Sequence, residues 1–259
     1  MEPHKLIERR RYDRKARLET APAAGRPAGA SVGAATMAPY LREPYLEFER
    51  RVRAAAEPGA LVLDVGAGTG IHSFAAGEGH RILAVDISLE SLEQVRHRAR
   101  AHDVGVELLC ADAECLPIAN ASVGVATTAG VLYCVDLIAF LRELRRVLRP
   151  GGTWIFVDSF DHNPIYRVNR FFGYLRGTRT RRALTNIPSE RSLARIRQEF
   201  ARVSVSYHGV FCFMGPVLGR ILGGDRAARC LDALDRAAPI LRRFAFKVVV
   251  TASEPRRHA

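Results

Sequence analysis

Residues 61–70 read LVLDVGAGTG, and this stretch indicates the fold class most clearly. It begins as an apolar run typical of a buried strand and ends in a loop with glycines at every second position, Gly66, Gly68 and Gly70. Because glycine has no Cβ, the backbone can turn sharply there and approach a ligand closely. Three alternating glycines exceed what a tight turn requires, so we expect a ligand-binding loop at the end of the first strand.

Similar apolar segments follow along the chain, reading RILAVD, VELLCAD, SVGVATTA and GGTWIFVD, with helical patterns such as residues 89–101 and 137–148 between them. Repeated strand and helix units predict a parallel sheet covered on both faces. Residues 203–211 and 244–252 read as two last strands that form an antiparallel edge. The predicted fold class is α/β, a Rossmann-like doubly wound, mostly parallel seven-stranded sheet with an antiparallel C-terminal edge strand.

Two predicted regions organise the chain. Residues 1–36 combine a short basic helix with an Ala/Gly/Pro-rich linker that lacks apolar periodicity. Residues 37–259 form the main domain, within which residues 159–200 are an insertion on the substrate side. No apolar run reaches the roughly 20 residues of a membrane helix, and the charged N-terminus has no secretory h-region. We expect a cytoplasmic protein without integral membrane association.

The net charge of +12 suggests an acidic partner such as a nucleic acid. However, lysine occurs only at Lys5, Lys15 and Lys247, so 36 of the 39 basic residues are arginine, a bias typical of a GC-rich coding genome. We therefore give the charge little weight and do not expect nucleic acid as a partner. The five cysteines form no CxxC pair, which predicts reduced thiols and no metal site.

Acidic residues follow the next two strands. Asp86 ends the second strand, 20 residues after Gly66, where a carboxylate accepts hydrogen bonds from both hydroxyls of a ribose. Asp112 follows the third strand, where it can accept from an adenine amino group. A dinucleotide loop reads G-x-G-x-x-G, whereas here Ile71 stands at the last position. The pattern therefore favours an adenosine cofactor other than a dinucleotide.

These motifs resemble the class I S-adenosylmethionine-dependent methyltransferases, specifically the ubiquinone/menaquinone methyltransferase-related, methyltransferase type 11 group. The similarity runs from about Gly59 to Asp158 and rests on VLDVGAGTG, AVDIS, ADAECLP, GVLYCVD and RVLRPGG. It implies S-adenosyl-L-methionine as the cofactor. Many relatives have Phe-Asp and a histidine pair where this chain has Val-Gly at 123–124 and Tyr-Cys at 133–134. These differences argue against a quinone substrate inferred from those relatives.

The resemblance also assigns cofactor-binding residues position by position. The methionine part is surrounded by the first loop, the ribose lies at the second strand end, the adenine lies at the third, and the sulfonium lies near the fourth. The basic helix at residues 10–16, RRYDRKA, is similar to the family's N-terminal lid helix, with Tyr12 closing over the cofactor. The implied residues are Tyr12, Asp64, Gly66, Ala67, Gly68, Gly70, Asp86, Ile87, Asp112, Ala113, Thr128 and Ala129.

Methyl transfer from a sulfonium needs mainly alignment and exclusion of water, with a general base where the acceptor must lose a proton. His162, just beyond the fifth strand, is the first candidate base, and Tyr133 is the second. Asp158 is followed by Ser159 rather than by the Asp-Asn pair of metal-dependent catechol methyltransferases, so no metal is expected.

The acceptor is expected to be a small molecule such as a natural product, sugar or lipid-like metabolite, methylated on O, N or C. Residues 161–184, DHNPIYRVNRFFGYLRGTRTRRAL, are predicted to cap the pocket and to suit a substrate with an apolar body and an anionic group. An amphipathic surface helix, a dimer contact or a peripheral membrane contact are the other interpretations of this segment. RNA methylation and a non-catalytic cofactor-binding regulator remain alternative functions, and the chain is expected to be a monomer or a homodimer.

Overall fold

A computed structural model describes residues 3–20, 32–77, 79–176 and 185–256. The strands are β1 (Leu61–Val65), β2 (Arg81–Asp86), β3 (Val106–Cys110), β4 (Val123–Ala129), β5 (Leu148–Ser159), β6 (Phe200–His208) and β7 (Lys247–Pro255). The α-helices are α1 (Pro3–Thr20), α2 (Pro39–Ala55), α3 (Leu89–Ala101), α4 (Leu137–Val147), α5 (Pro164–Leu175), α6 (Glu190–Glu199), α7 (Gly215–Leu222) and α8 (Gly224–Ala237). Short 3-10 turns occupy Gly33–Thr36, Cys212–Met214 and Pro239–Phe244.

All seven strands belong to one sheet with the order β3-β2-β1-β4-β5-β7-β6. Strands β1 to β5 pair in parallel, whereas β7 is antiparallel to both β5 and β6. The predicted Rossmann-like, mostly parallel seven-stranded sheet is confirmed, with its antiparallel C-terminal pairing at one edge. Strand β7 lies inside the sheet, where it pairs with β5 over seven residues, from Lys247 opposite Ser159 to Ser253 opposite Thr153. Strand β6 forms the border of the sheet.

Helices cover both faces of the sheet. On one face, Trp154 of β5 is fully buried, stacks on Phe156 and meets the edge of Phe140 from α4. On the other face, Phe48 of α2 is fully buried in a cluster that includes Ile155. Alternate residues of β5 thus supply both cores, as expected for a central strand. None of the described helices is long and apolar enough to cross a lipid bilayer.

The strand order reverses beside β1, which lies between β2 and β4. In open α/β sheets such a point leaves a crevice at the carboxyl ends of the strands, where ligands bind. Helix α1 lies near this edge and is tied to the start of α3, since Ser88 Oγ donates to Asp13 Oδ1 over 2.6 Å. Arg17 also pairs with Glu90.

The predicted division into residues 1–36 and 37–259 stays a prediction. Most of the predicted linker, residues 21–31, lies outside the described residues, as do residues 177–184 of the predicted cap. The described part of the 159–200 segment consists mainly of α5 and α6. In the β1–β2 connection, residues 71–76 form turns rather than a regular helix.

Candidate active site

A cavity of about 330 Å³ lies at the carboxyl ends of β1, β2 and β4. Its size falls in the range of small-molecule sites, about 300–1,000 Å³. The glycine loop, the residues after β2 and β3, the residues after β4, and α1 all contribute to its walls. Four residues of α1 line it, Lys5, Glu8, Tyr12 and Lys15. The N-terminal helix therefore forms one wall of the cavity.

The glycine loop adopts the backbone conformation that its sequence predicts. Gly66, Gly68 and Gly70 all have positive φ, at 69°, 55° and 83°, a region that favours glycine. Their surroundings differ. A Cβ on Gly66 would lie 2.5 Å from Val131 Cγ2, and one on Gly70 would lie 3.1 Å from Val95 Cα. A Cβ on Gly68 would meet nothing within 4 Å, so only this glycine is open toward the cavity.

Asp86 ends β2 and closes the base of the loop. Its Oδ2 accepts from Gly68 N and its Oδ1 accepts from Ser88 N, each over 2.8 Å. Burial raises the pKa of this carboxyl, while the backbone amides partly oppose that shift. Three backbone amides, those of Gly68, Ile87 and Ser88, thus contact this carboxyl, whose roughly four acceptor sites leave room for a ligand hydroxyl. Ile87 lines the cavity next to Asp86.

Asp64 lies under the glycine loop at the end of β1. Ser73 Oγ donates to its Oδ2 over 2.6 Å, and Thr127 Oγ1 donates to its Oδ1 over 3.1 Å. Burial raises the pKa of Asp64 to about 6, although the two hydroxyls favour the ionised form. Since no cation pairs with Asp64 among the described residues, its buried carboxylate is suited to a positively charged ligand group.

The end of β3 is joined to α1 by an ion pair network. Lys5 Nζ donates to Asp112 Oδ2 and to Glu114 Oε2, both over 2.6 Å. Burial alone would lower the pKa of Lys5, but the two hydrogen bonds outweigh it and leave that pKa above its usual value. Ala113, between the two acids, lines the same wall. An adenine amino group that binds Asp112 would therefore share this carboxylate with Lys5.

Tyr12 and Tyr133 meet where α1 crosses the loop after β4. Their hydroxyl oxygens are 2.6 Å apart, and Arg11 Nη1 donates to Tyr133 Oη over 3.4 Å. Burial raises the pKa of both phenols, so both hydroxyls stay protonated at neutral pH. Tyr12 lines the cavity, whereas Tyr133 lies behind it. This arrangement suits Tyr133 to holding Tyr12 in position better than to accepting a proton.

The structure brings most of the predicted cofactor residues together. Those that line the cavity are Tyr12, Asp64, Gly66, Ala67, Gly68, Asp86, Ile87, Asp112, Ala113 and Ala129. Gly70 and Thr128 do not line it. Gly70 instead allows the close approach of Val95, and Thr128 Oγ1 is buried and accepts from Trp154 Nε1 over 3.3 Å.

His162, the predicted base, lies outside the cavity lining. Its ring is exposed and stacks on Phe160 with centroids 5.1 Å apart. The next residue, Asn163, caps α5 and donates through Nδ2 to the Phe244 carbonyl over 2.8 Å. These contacts hold the start of α5 against the segment that precedes β7, and His162 lies on the solvent side of this contact.

A different histidine lines the cavity. His72 follows the glycine loop, is largely buried, and stacks on Tyr45 of α2 with centroids 4.6 Å apart and ring planes 7° apart. Its Nδ1 lies 4.0 Å from Glu49 Oε1. Burial and the nearby charge of Lys247 lower the pKa of His72 to about 4, so its imidazole is neutral at pH 7. Sequence reasoning missed His72 because only the position of α2 makes it part of the site.

Residues 63–156 match the protein-family model described as "Methyltransferase domain". The malonyl-[acyl-carrier protein] O-methyltransferase of Serratia marcescens is 39% identical over 101 residues, which are 38% of this chain and 38% of that protein. The demethylmenaquinone methyltransferase of Corynebacterium urealyticum is 39% identical over 97 residues, 37% of this chain and 40% of that protein. The chain thus aligns with well under half the length of these relatives.

Solved structures extend the likeness of the fold to nearly the whole chain. The geranyl diphosphate C-methyltransferase of Streptomyces coelicolor has a TM-score of 0.65 at 16% identity, and the alignment covers 98% of this chain and 99% of that one. The [4+2]-cyclase SpnF has a TM-score of 0.60 at 17% identity, with 97% and 96% coverage. The chain therefore carries a methyltransferase domain at residues 63–156, set in the Rossmann-like fold of the S-adenosylmethionine-dependent methyltransferases.

Proposed function

We propose that the chain binds S-adenosyl-L-methionine in the cavity beside β1 and transfers its methyl group to a small-molecule acceptor. The observation that carries this proposal is the pairing of an open glycine with a buried acid. Gly68 presents no Cβ to the cavity, and Asp86, which accepts from the Gly68 amide, retains acceptor capacity for a ribose hydroxyl. This pairing occurs inside the region that matches the methyltransferase domain model.

The remaining residues fit the same cofactor. The buried Asp64 carboxylate suits the cationic methionine end, and Ala113 and Asp112 offer a backbone and a carboxylate to an adenine. Tyr12 contributes an aromatic wall from α1. When bound, this cofactor supplies a methyl group already activated by a positive sulfur, so the protein needs chiefly to align the acceptor and exclude water.

We assign the proton-accepting role to His72, whose ring is held by stacking on Tyr45. Its Nδ1 is buried without a hydrogen-bond partner among the described residues, because Glu49 Oε1 lies 4.0 Å away and accepts instead from Ala34 N. An acceptor that must lose a proton on methylation would give it to the neutral imidazole of His72, which would pass it to solvent. The low pKa of His72 keeps the imidazole in the required neutral form at pH 7. His162 and Tyr133, the candidates from the sequence, are disfavoured by their positions.

The walls near His72 favour an acceptor with an apolar body and an anionic group. Met37 and Tyr45 line this end of the cavity. Behind Tyr45, the buried Lys247 places its ammonium 5.2 Å from the centre of the tyrosine ring. One structural neighbour was solved with geranyl diphosphate, which has this combination of groups. The atom that receives the methyl group follows from the identity of the acceptor.

Two other functions make different predictions. An RNA methyltransferase would label nucleic acid, with a steep salt dependence of binding. A cofactor-binding regulator would label nothing, and the cyclase among the structural neighbours illustrates that this fold also serves other chemistry.

The test is to incubate the chain with methyl-labelled S-adenosylmethionine and cell extract separated into small-molecule, protein and RNA fractions. We expect label in a small molecule. Label only in RNA would support an RNA methyltransferase. Binding of S-adenosylmethionine without transfer of label to any fraction would support a cofactor-binding regulator.

A further inference from the structure

Helix α5 is inserted with its apolar side facing outward. Phe171 is 53% exposed and Leu175 is 62% exposed, and Ile165, Val168 and Phe172 are exposed as well. The side chain that α5 buries is Arg170, at 7% exposure. An amphipathic helix on a globular protein normally buries its apolar stripe, so a stripe of this size in solvent marks a contact surface.

The outward orientation of α5 is fixed by contacts on its other side. Tyr166 stacks on Phe246, and its hydroxyl lies 3.9 Å from Cys212 Sγ. Asn163 caps the first turn and bonds to the Phe244 carbonyl. These contacts hold the polar side of α5 against the domain and leave its apolar stripe in solvent.

A second exposed apolar face follows, in the chain, a residue that contacts α5. Cys212, the partner of Tyr166, opens the 3-10 turn that leads into α7. Phe213 in that turn is exposed, and in α7 so are Val217 and Ile221, the latter at 71%. We call the exposed residues Val168, Phe171, Leu175, Phe213, Val217 and Ile221 the cationic apolar surface.

Helices α5 and α7 carry charged side chains of one sign only. The sequences of α5, PIYRVNRFFGYL, and of α7, GPVLGRIL, contain arginines but no acidic residue. Arg176 at the end of α5 and Arg220 in α7 are exposed, while Asp161 and Asp225, which flank the two helices in the chain, pair with Arg167 and Arg42. Aromatic and aliphatic side chains beside arginines are the composition of helices that lie in a membrane interface.

We propose that the cationic apolar surface docks on an anionic phospholipid bilayer. Phenylalanine and leucine side chains enter the boundary between headgroups and acyl chains, while the arginines meet lipid phosphates. A second copy of the chain is a poorer occupant, because a two-fold contact through this surface would bring arginines against arginines. Docking here would suit a protein whose acceptor is itself lipid-like, although the proposal does not depend on the methyltransferase activity.

Co-sedimentation with vesicles tests this directly. The full chain should bind phosphatidylcholine vesicles containing one quarter phosphatidylglycerol, and bind pure phosphatidylcholine much more weakly. Phe171→Ser combined with Leu175→Ser should lower the partition coefficient about tenfold or more, because each side chain buries apolar area in the bilayer. Arg176→Gln combined with Arg220→Gln should remove most of the preference for the anionic lipid.

The matched control is Leu89→Ser combined with Ile138→Ser, which removes two equally exposed apolar residues from α3 and α4 and should leave vesicle binding unchanged. Absence of binding to the anionic vesicles overturns the proposal, as does equal loss of binding in the control. A dimer that the Phe171→Ser and Leu175→Ser pair dissociates in light scattering, without vesicle binding by the parent chain, would assign the surface to a second copy.

Discussion

The amide of Gly68 donates to Asp86 Oδ2 over 2.8 Å, so the loop after β1 is fastened to the end of β2. This bond joins two motifs that stand 18 residues apart in the sequence. Both residues line the cavity, and a Cβ added to Gly68 would meet no atom within 4 Å. In the proposed site, Asp86 thus both shapes the loop and binds the ribose.

Replacing Asp86 with Ala should weaken the binding of both S-adenosylmethionine and S-adenosylhomocysteine. The change removes a charged acceptor worth about 1.5 to 3 kcal/mol, which corresponds to roughly tenfold or more in affinity. Isothermal titration calorimetry measures both constants. Asp225→Ala, at an exposed acid of α8, is the control and should bind as the parent does. Equal affinity of Asp86→Ala and the parent would remove Asp86 from the site.

Gly68→Val should abolish cofactor binding while the protein stays folded. The added side chain projects into the cavity, and the positive φ of 55° adds strain of about 1 to 2 kcal/mol. Gly59→Val is a matched control, because Gly59 has a φ of 75° and no atom within 4 Å of its Cβ position, yet lies away from the cavity. Both variants should lose similar stability in thermal denaturation, but only Gly68→Val should lose binding. Intact binding by folded Gly68→Val would limit this glycine to a role in the turn.

Asp64→Asn should make the stability of the free protein less dependent on pH. Burial raises the pKa of Asp64 to about 6 in the folded state, against about 3.9 in an unfolded chain. The unfolded state therefore loses its proton first, and the parent protein loses stability as pH rises from about 4 to 6. Above pH 6 the variant should be more stable than the parent by up to about 3 kcal/mol, with no gain below pH 4.

Urea denaturation of both proteins at pH 4 and pH 7.5 measures the difference between their free energies of unfolding. The other titratable groups are the same in both proteins, so their contributions cancel. The variant should also bind S-adenosylmethionine more weakly, because it lacks the negative charge. A stability difference between the two proteins that is the same at both pH values contradicts the buried, proton-binding state of Asp64.

His72→Gln should lower turnover of the labelled acceptor by about a hundredfold or more, the usual contribution of a general base. Its affinity for S-adenosylhomocysteine should stay near that of the parent, because His72 lines the end of the cavity that we assign to the acceptor. His162→Gln is the control and should leave both quantities unchanged. If turnover falls in His162→Gln and not in His72→Gln, the base lies at the end of β5 as the sequence alone suggested.

The cofactor half of the site was predictable from sequence because each motif is local. The glycine loop, Asp86 and Asp112 each end a strand, and parallel strands end at one edge of the sheet. The position of β7 between β5 and β6 was not predictable in the same way. It depends on the pairing of residues about 90 apart, such as Lys247 with Ser159, and apolar periodicity does not encode that order.

Contacts between distant segments account for the other differences. Lys5 reaches Asp112 across 107 residues, and no pattern near Lys5 indicates that partner. His72 becomes a cavity residue through Tyr45, which belongs to a helix that precedes the sheet. His162 was well placed in sequence after β5, but the capping of α5 by Asn163 leaves it in solvent.

The assignment of the cavity to the methyl donor is tested by calorimetric titration of the full chain with S-adenosylhomocysteine and, separately, with NAD. Both ligands offer an adenosine to Asp86 and Asp112, but only the first carries the cationic amino acid end that suits Asp64. We predict one S-adenosylhomocysteine per chain, with NAD bound far more weakly or not at all. Absence of heat with S-adenosylhomocysteine, or tighter binding of NAD, would contradict the assignment of this cavity to the methyl donor.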